Sequence, residues 1–427
     1  MGKRVLAIFG IFLCCTGAWM VLGGTIMART YSSEGSLQSR VASTWGTTQR
    51  QLPPAATFTV TIPKEVEFME EGRKAVRTIE FKETRTLPLE ASRIDVRLDL
   101  EPRQKGLLWY STYKVAFAGR YTFRNTSTTE TLNFRVPFPA SQALYDDLTV
   151  AVNGAPMALT SSAGSASTDP KGAGAGSAAV AGVSGSATVP PGQAAVLEVR
   201  YRSQGLDSWR YGFGEEVAQV RDFSLKMTTN FRDIDFPDNT VSPTEKRRAG
   251  SGWNLGWNYK SLVSGYEIAM AMPEKLQPGP LAGRISFFAP VSLFFFFFVM
   301  LMITTLRRIE LHPVNYFFLA AAFFAFHLLL AYLVDHIDIH LAFVISSLVS
   351  LALVVSYLRL VVGMRFAAVE AGLTQFLYLV LFSYAFFFKG FTGLTVTIGS
   401  ILTLFVAMQL TGRIRWAERL DVKAARA

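Results

Sequence analysis

Four histidines, His312, His327, His336 and His340, are the only imidazoles of this 427-residue chain, and all lie in its last third. His336 and His340 stand four apart, on one face if the flanking helix continues through them. With Asp335 and Asp338 they make four potential ligands within six residues, a donor set suited to a divalent metal. A short polar loop at a membrane interface has the same composition, and that reading is favoured. Asp335, His336, Asp338 and His340 are therefore metal candidates only, with no resident metal or cofactor expected. His327 is flanked on both sides by apolar residues. An ionisable group there needs a partner; an interhelical hydrogen bond is expected, with a proton or substrate relay as the alternative.

Elsewhere the inventory is thin. The two cysteines, Cys14 and Cys15, lie inside the first apolar run, so residues 29–284 contain neither His nor Cys. That segment has no disulfide framework and no material for a Ser-His-Asp triad, a Cys-His dyad or an ordinary zinc hydrolase site. The pairs Glu215-Glu216 and Asp146-Asp147 are neighbours along strands, point to opposite faces and read as solvated surface. Asp233, Asp235, Asp238 and Asn239 lack the Gly and Glu that an EF-hand loop requires, so a polar turn is expected. Trp209, Tyr211 and Phe213, with Trp253, Trp257 and Tyr259, form two aromatic clusters: exposed they stack on sugars, buried they are core, and core is the favoured reading. No catalytic residue and no enzymatic activity is expected.

The elements that must position these residues are largely apolar. Half of the chain is hydrophobic and only 17% is charged, against about 25% in soluble domains. Six runs are long enough to cross a bilayer: Val5–Ala28, Ile285–Leu306, Val314–Val334, Leu341–Leu358, Ala371–Phe388 and Gly390–Gly412. The first is expected to be an uncleaved anchor rather than a signal peptide, since it is long and no Ala-x-Ala site follows it. The net charge of +10 suggests nucleic acid until it is located: residues 29–284 hold 30 Lys/Arg and 26 Asp/Glu, and most of the excess flanks the apolar runs. No nucleic-acid partner is expected. Cytoplasmic loops are enriched in Lys and Arg. With both termini inside, the inner segments hold 11 cations and the two short outer loops one, at Lys389. Residues 29–284 are then extracytoplasmic.

From Thr57 onward the apolar period is two, clearest in Ile94, Val96, Leu98 and Leu100 and repeated at Phe58–Ile62, Tyr113–Phe117, Leu132–Val136, Val196–Tyr201 and Phe223–Met227. Asn153-Gly154 after Leu148, Val150 and Val152 signals a type I′ hairpin. A mainly antiparallel, sandwich-like β domain follows. Within it, 21 of the 29 residues from 160 to 188 are Gly, Ala or Ser, the composition of a flexible surface insertion. Glu245–Arg248 reads as a solvated loop.

Leu311-His312-Pro313-Val314-Asn315-Tyr316, continued through an apolar span to Asp335-His336, resembles a pattern of the CreD-type inner membrane proteins of Gram-negative bacteria. Met227-Thr228-Thr229-Asn230-Phe231, Pro243, Lys246, Arg247, Gly252-Trp253, Trp257 and the Arg413–Trp416 segment are also similar to that family. Residues 50–200 show no such likeness. The resemblance implies an inner membrane protein tied to cell envelope integrity and stress, with no established enzymatic activity, and marks His312, Pro313, Trp253 and Trp257 beside His327 as possible functional residues. The expected organisation is an anchor (1–28), a periplasmic β domain (29–284), a five-helix membrane module (285–412) and a basic cytoplasmic tail (413–427). Its partners are the lipid bilayer and an envelope protein or glycan; transport or lipid handling is the alternative function.

Overall fold

The structure is a computed structural model that describes residues 2–70, 73–106, 108–162, 181–214, 218–388 and 390–412. The chain falls into two compact units. One takes the chain up to Leu37, the short piece Lys105–Leu108 and the chain from Leu276 onward; the other takes Gln38–Gln104 and Trp109–Lys275.

The first unit is helical. Six helices are long and apolar enough to cross a membrane, one N-terminal and five C-terminal. The first, Gly2–Trp45, runs well past the expected end at Ala28; the segment after Ala28 contains no proline to stop it. It stops at Gly46, whose φ of +117° is a left-handed closure that glycine adopts without strain. The others are Pro278–Leu306, Pro313–Leu333, Ile339–Val361, Phe366–Phe387 and Thr392–Thr411. In lipid the apolar surface gives little drive for helices to associate, so packing and buried polar contacts do this work. The Phe294–Phe298 run divides accordingly: Phe296 and Phe297 are buried, whereas Phe294 and Phe298 face outward. The fifth span is irregular, with π-helical turns at Phe366–Ala371 and Phe376–Leu381. A π turn leaves carbonyls poorly satisfied, which lipid cannot repair. Here side chains repair it: the Ser292 hydroxyl of the second span donates to the Tyr378 carbonyl.

The second unit is β. Its strands are β1 (Gln49–Gln51), β2 (Ala55–Glu70), β3 (Arg73–Thr86), β4 (Leu89–Leu100), β5 (Arg103–Lys105), β6 (Leu108–Tyr110), β7 (Thr112–Arg124), β8 (Thr131–Pro137), β9 (Tyr145–Val152), β10 (Ala155–Pro156), β11 (Thr160–Ser162), β12 (Gly182–Thr188), β13 (Ala194–Leu206), β14 (Ser208–Tyr211), β15 (Ala218–Thr229), β16 (Glu245–Ala249), β17 (Gly252–Ser264) and β18 (Ile268–Ala271). An eight-stranded sheet, β10-β9-β13-β7-β4-β15-β17-β16, and a five-stranded sheet, β11-β12-β8-β2-β3, supply most of one core, joined by the small sheet β1-β14-β18. Among the described residues the strand pairings of these three sheets are antiparallel except β1 with β14 and β4 with β15. The period-two pattern explains the layering: Ile94, Val96 and Leu98 point inward and are buried, while Asp95 and Arg97 between them are exposed. Phe123 of β7 meets Phe134 of β8 at 6.1 Å between ring centroids, which brings the two large sheets together.

Several local expectations take sharper form. Asn153 and Gly154 have φ of 51° and 82° and join β9 to β10 as a two-residue hairpin. The stretch read as one insertion, 160–188, begins and ends in strands: β11 pairs with β12 and β12 with β8. Its residues 163–180 lie outside the described residues, as do Glu215, Glu216, Lys389 and the tail from 413. Glu245–Arg248 is not a loop but edge strand β16, paired along β17. Four adjacent charged residues break the apolar alternation that marks a half-buried strand, and an edge strand with solvated side chains does not need it.

Candidate functional site

The outer-loop acids and histidines are placed by helix ends. Asp338 is the N-cap of the fourth span: its Oδ1 accepts from the backbone N–H groups of His340 (2.9 Å) and Leu341 (3.4 Å), the standard satisfaction of an exposed helix start. Asp335 pairs with Arg29 of the first helix at 3.3 Å. Arg29 also lies 6.0 Å from the Tyr332 ring centroid. His340 lies against Phe387, tilted by 35° with 5.0 Å between ring centroids, and His336 is exposed. The sequence cluster is thus dispersed, one acid to a cation, one to a helix end and one imidazole to a ring. Among the described residues no group of three or more His, Cys, Asp or Glu side chains is placed to hold a metal ion.

His312 and Pro313 begin the third span. The His312 Nδ1 accepts from the Val314 N–H at 3.3 Å, and Pro313 takes the first helical position, where its missing N–H costs nothing. The Leu-His-Pro run therefore has a structural account as a helix start. His327 is 1% exposed, wedged between Trp19 of the first helix at 5.6 Å and Phe326 at 4.8 Å. Its Nδ1 lies 3.0 Å from the carbonyl of Phe323, one turn earlier in the same helix. The expected interhelical hydrogen bond is absent among the described residues; the contact with the first helix is an aromatic edge instead. The Nε2 is buried without a hydrogen-bond partner there.

Sequence reading missed the polar belt of the fifth span. Glu370 pairs with Arg307 of the second span at 2.6 Å and is largely buried. Gln375, fully buried, donates from Nε2 to Ser350 Oγ at 2.8 Å, and Ser350 donates to the Ala322 carbonyl at 2.6 Å. Three helices are tied by that relay. Tyr378 and Thr403 share a 2.8 Å hydrogen bond between the fifth and sixth spans. The Gln375 Oε1 and one oxygen of Glu370 are buried without partners among the described residues. The sequence signal was available only as polar residues at 370, 374–375 and 378 in an apolar run, a helical stripe whose partners spacing does not name.

In the β unit, Trp209, Trp257 and Tyr211 are core. Trp257 Nε1 donates to the Val241 carbonyl at 2.8 Å. Trp253 is partly exposed, donates to the Arg232 carbonyl at 2.9 Å and carries the Lys246 ammonium 4.4 Å over its ring. Asp233, Asp235 and Asp238 occupy a turn region, where Asp235 bridges to Ala271. A furrow of about 520 Å³ opens instead on the eight-stranded sheet, lined by Arg97, Asp99, Lys114, Ala116, Leu144, Asp146 and Arg202 among others. Its floor follows from register: Ala116 on β7 is opposite Arg97 on β4 and Arg202 on β13. Two guanidinium-bearing positions therefore flank a small residue, about 10 Å apart. Their carboxylate partners, Asp99 at 2.9 Å and Asp147 at 3.4 Å, form exposed pairs that cost little to exchange for a ligand.

Comparison with known proteins adds a family for one unit. No curated protein matches the chain. Among solved structures, a putative nutrient binding protein from Legionella pneumophila is similar at 13% identity, covering 49% of this chain and 74% of that one, with a TM-score of 0.31; so low a score establishes no shared fold. The description of the family whose model matches is "Inner membrane protein CreD", and the matched segment takes in Leu311–Tyr316, Asp335-His336 and the Arg413–Trp416 run but stops short of the Met227–Trp257 residues. Residues 281–417, which contain the five C-terminal spans of this membrane protein, thus match the CreD inner membrane protein family.

Proposed function

We propose that the chain is a non-enzymatic inner membrane protein that supports cell envelope integrity by holding an envelope component against its β domain, which faces the periplasm while both termini lie in the cytoplasm. The furrow over Ala116 carries this reading, with Arg97, Lys114 and Arg202 at its rim. An anionic, extended polymer such as a cell-wall glycan bearing carboxylates fits three cations over an alanine floor, exchanging for the Asp99, Glu101 and Asp147 carboxylates that now pair with them. The 11 to 1 distribution of cations across the spans supports the orientation. The test is retention of the full-length protein in lipid nanodiscs on isolated cell-wall glycan. Arg97→Ala and Arg202→Ala should each weaken retention about tenfold, the loss of one charged hydrogen bond apiece; unchanged retention counts against the furrow.

A second reading, transport or lipid handling, rests on the fifth-span belt with its buried, unpartnered Gln375 Oε1. If that belt or His327 lines a pathway, Gln375→Leu and His327→Phe abolish envelope resistance to detergent while the protein stays folded and abundant. If they only pack, both variants keep wild-type resistance.

A further inference from the structure

The β2–β3 hairpin is longer than the sheet that holds it. β2 pairs with β8 only over Ala55–Thr57, yet β2 and β3 remain paired from Thr57 with Thr86 to Glu70 with Arg73. About 40 Å of two-stranded ribbon therefore extends beyond its third strand. An isolated ribbon of two strands is marginally stable in water, so this one calls for a neighbour.

Its sequence indicates which. Directly opposed residues share a face, so Val60, Ile62, Ile79 and Phe81 lie on one face by register and Thr59, Thr61, Lys82 and Thr84 on the other. Phe81 is 50% exposed and Ile79 42%. β3 is the last strand of its sheet order, leaving a fourteen-residue backbone edge without a partner strand among the described residues. Charged residues usually protect such an edge; along β3 the cations Arg73, Lys74 and Arg77 precede Ile79, and both acids, Glu80 and Glu83, follow it, interleaved with Lys82 and Arg85.

We infer that this edge pairs with a second copy of the same chain, β3 against β3, antiparallel and centred on Glu80. In that register Ile79 is opposite the partner's Phe81, and the Arg77 position opposite the partner's Glu83, each twice by symmetry. The neighbouring same-face registers are worse: centring on Thr78 sets Arg77 against Ile79, and centring on Lys82 sets Phe81 against Glu83. The pairing makes a four-stranded ribbon and continues the apolar strip across the two-fold axis. It sets Glu80 against the partner's Glu80, with Lys82 two residues away on the same face.

The experiment uses the full chain in its membrane with Cys14→Ser and Cys15→Ser. Glu80→Cys should oxidise to a disulfide-linked dimer of twice the mass, since the central residue faces itself, while Lys260→Cys on exposed β17 should not. In the Glu80→Cys background, Arg77→Glu or Glu83→Arg alone should lower the dimer fraction at least threefold, and the two together should restore it. Equal oxidation at 80 and 260, a linked product containing a different protein, or loss without recovery in the charge-reversed pair each overturns the pairing. The double variant separates misfolding from lost pairing, because only the pairing predicts rescue.

Discussion

Two residues the sequence grouped together part in the structure. Trp257 is fully buried with its indole N–H bonded inside the β core, whereas Trp253 lies partly exposed under a lysine. Trp257→Ala should cost about 3–5 kcal/mol and Trp253→Ala well under half of that, read from thermal unfolding of the β domain within the whole protein. Tyrosines make a second case. Burial raises the phenol of Tyr145 to about 12, and burial also pushes the phenols of Tyr113, Tyr121, Tyr201 and Tyr211 well above their ordinary value. A raised phenol keeps its proton in the fold, so its stabilisation is complete below about pH 10, the unfolded value, and is lost as pH climbs through the folded one. The β domain should therefore unfold cooperatively in strong alkali, with phenolate absorbance rising together with the loss of β circular dichroism; tyrosinate appearing well before unfolding would contradict the burial. Phenols 113 and 201 were legible as alternating aromatic positions, but their contacts with Ser208 and Gln51 were not, because those partners come from other strands.

At the scale of elements, the starts of the third and fourth spans were readable, whereas the second and fifth begin several residues before their expected starts at Ile285 and Ala371 and the helix irregularities were not readable. Asp338 and His312 stand where capping residues belong, immediately before apolar runs. Asp338→Ala should lower stability by about 1 kcal/mol without changing the number of spans, measured by thermal unfolding in detergent; a larger loss would imply a role beyond the cap. No residue type announces the two π-helical turns of the fifth span. Ser292, from another helix, meets the second of them at the Tyr378 carbonyl, and Ser350 meets Gln375 in the helical turn between the two. The β3 edge shows the same division: its amphipathic register is local, and its isolation beyond β8 is a property of the sheet.

For the whole molecule, the cation count predicts an orientation that reporter fusions check. A reporter active only outside the cytoplasm should work when the chain is cut after Ser264, before the second span, and be silent when fused after Arg426; the reverse result inverts the topology. Sequence alone determined the six apolar helices, the β character between them, the absence of His and Cys from that domain and the likeness to CreD proteins over the helical segment. These are properties of hydropathy, periodicity and composition, each readable within some twenty residues because a bilayer or a half-buried sheet imposes its pattern on every local window. Tertiary structure decided the rest: that Asp335 meets Arg29, that Glu370 meets Arg307, that Gln375 meets Ser350, and that Arg97 and Arg202 flank one alanine. Partners separated by tens to hundreds of positions are chosen by which helices and strands pack as neighbours, and no local pattern encodes that choice.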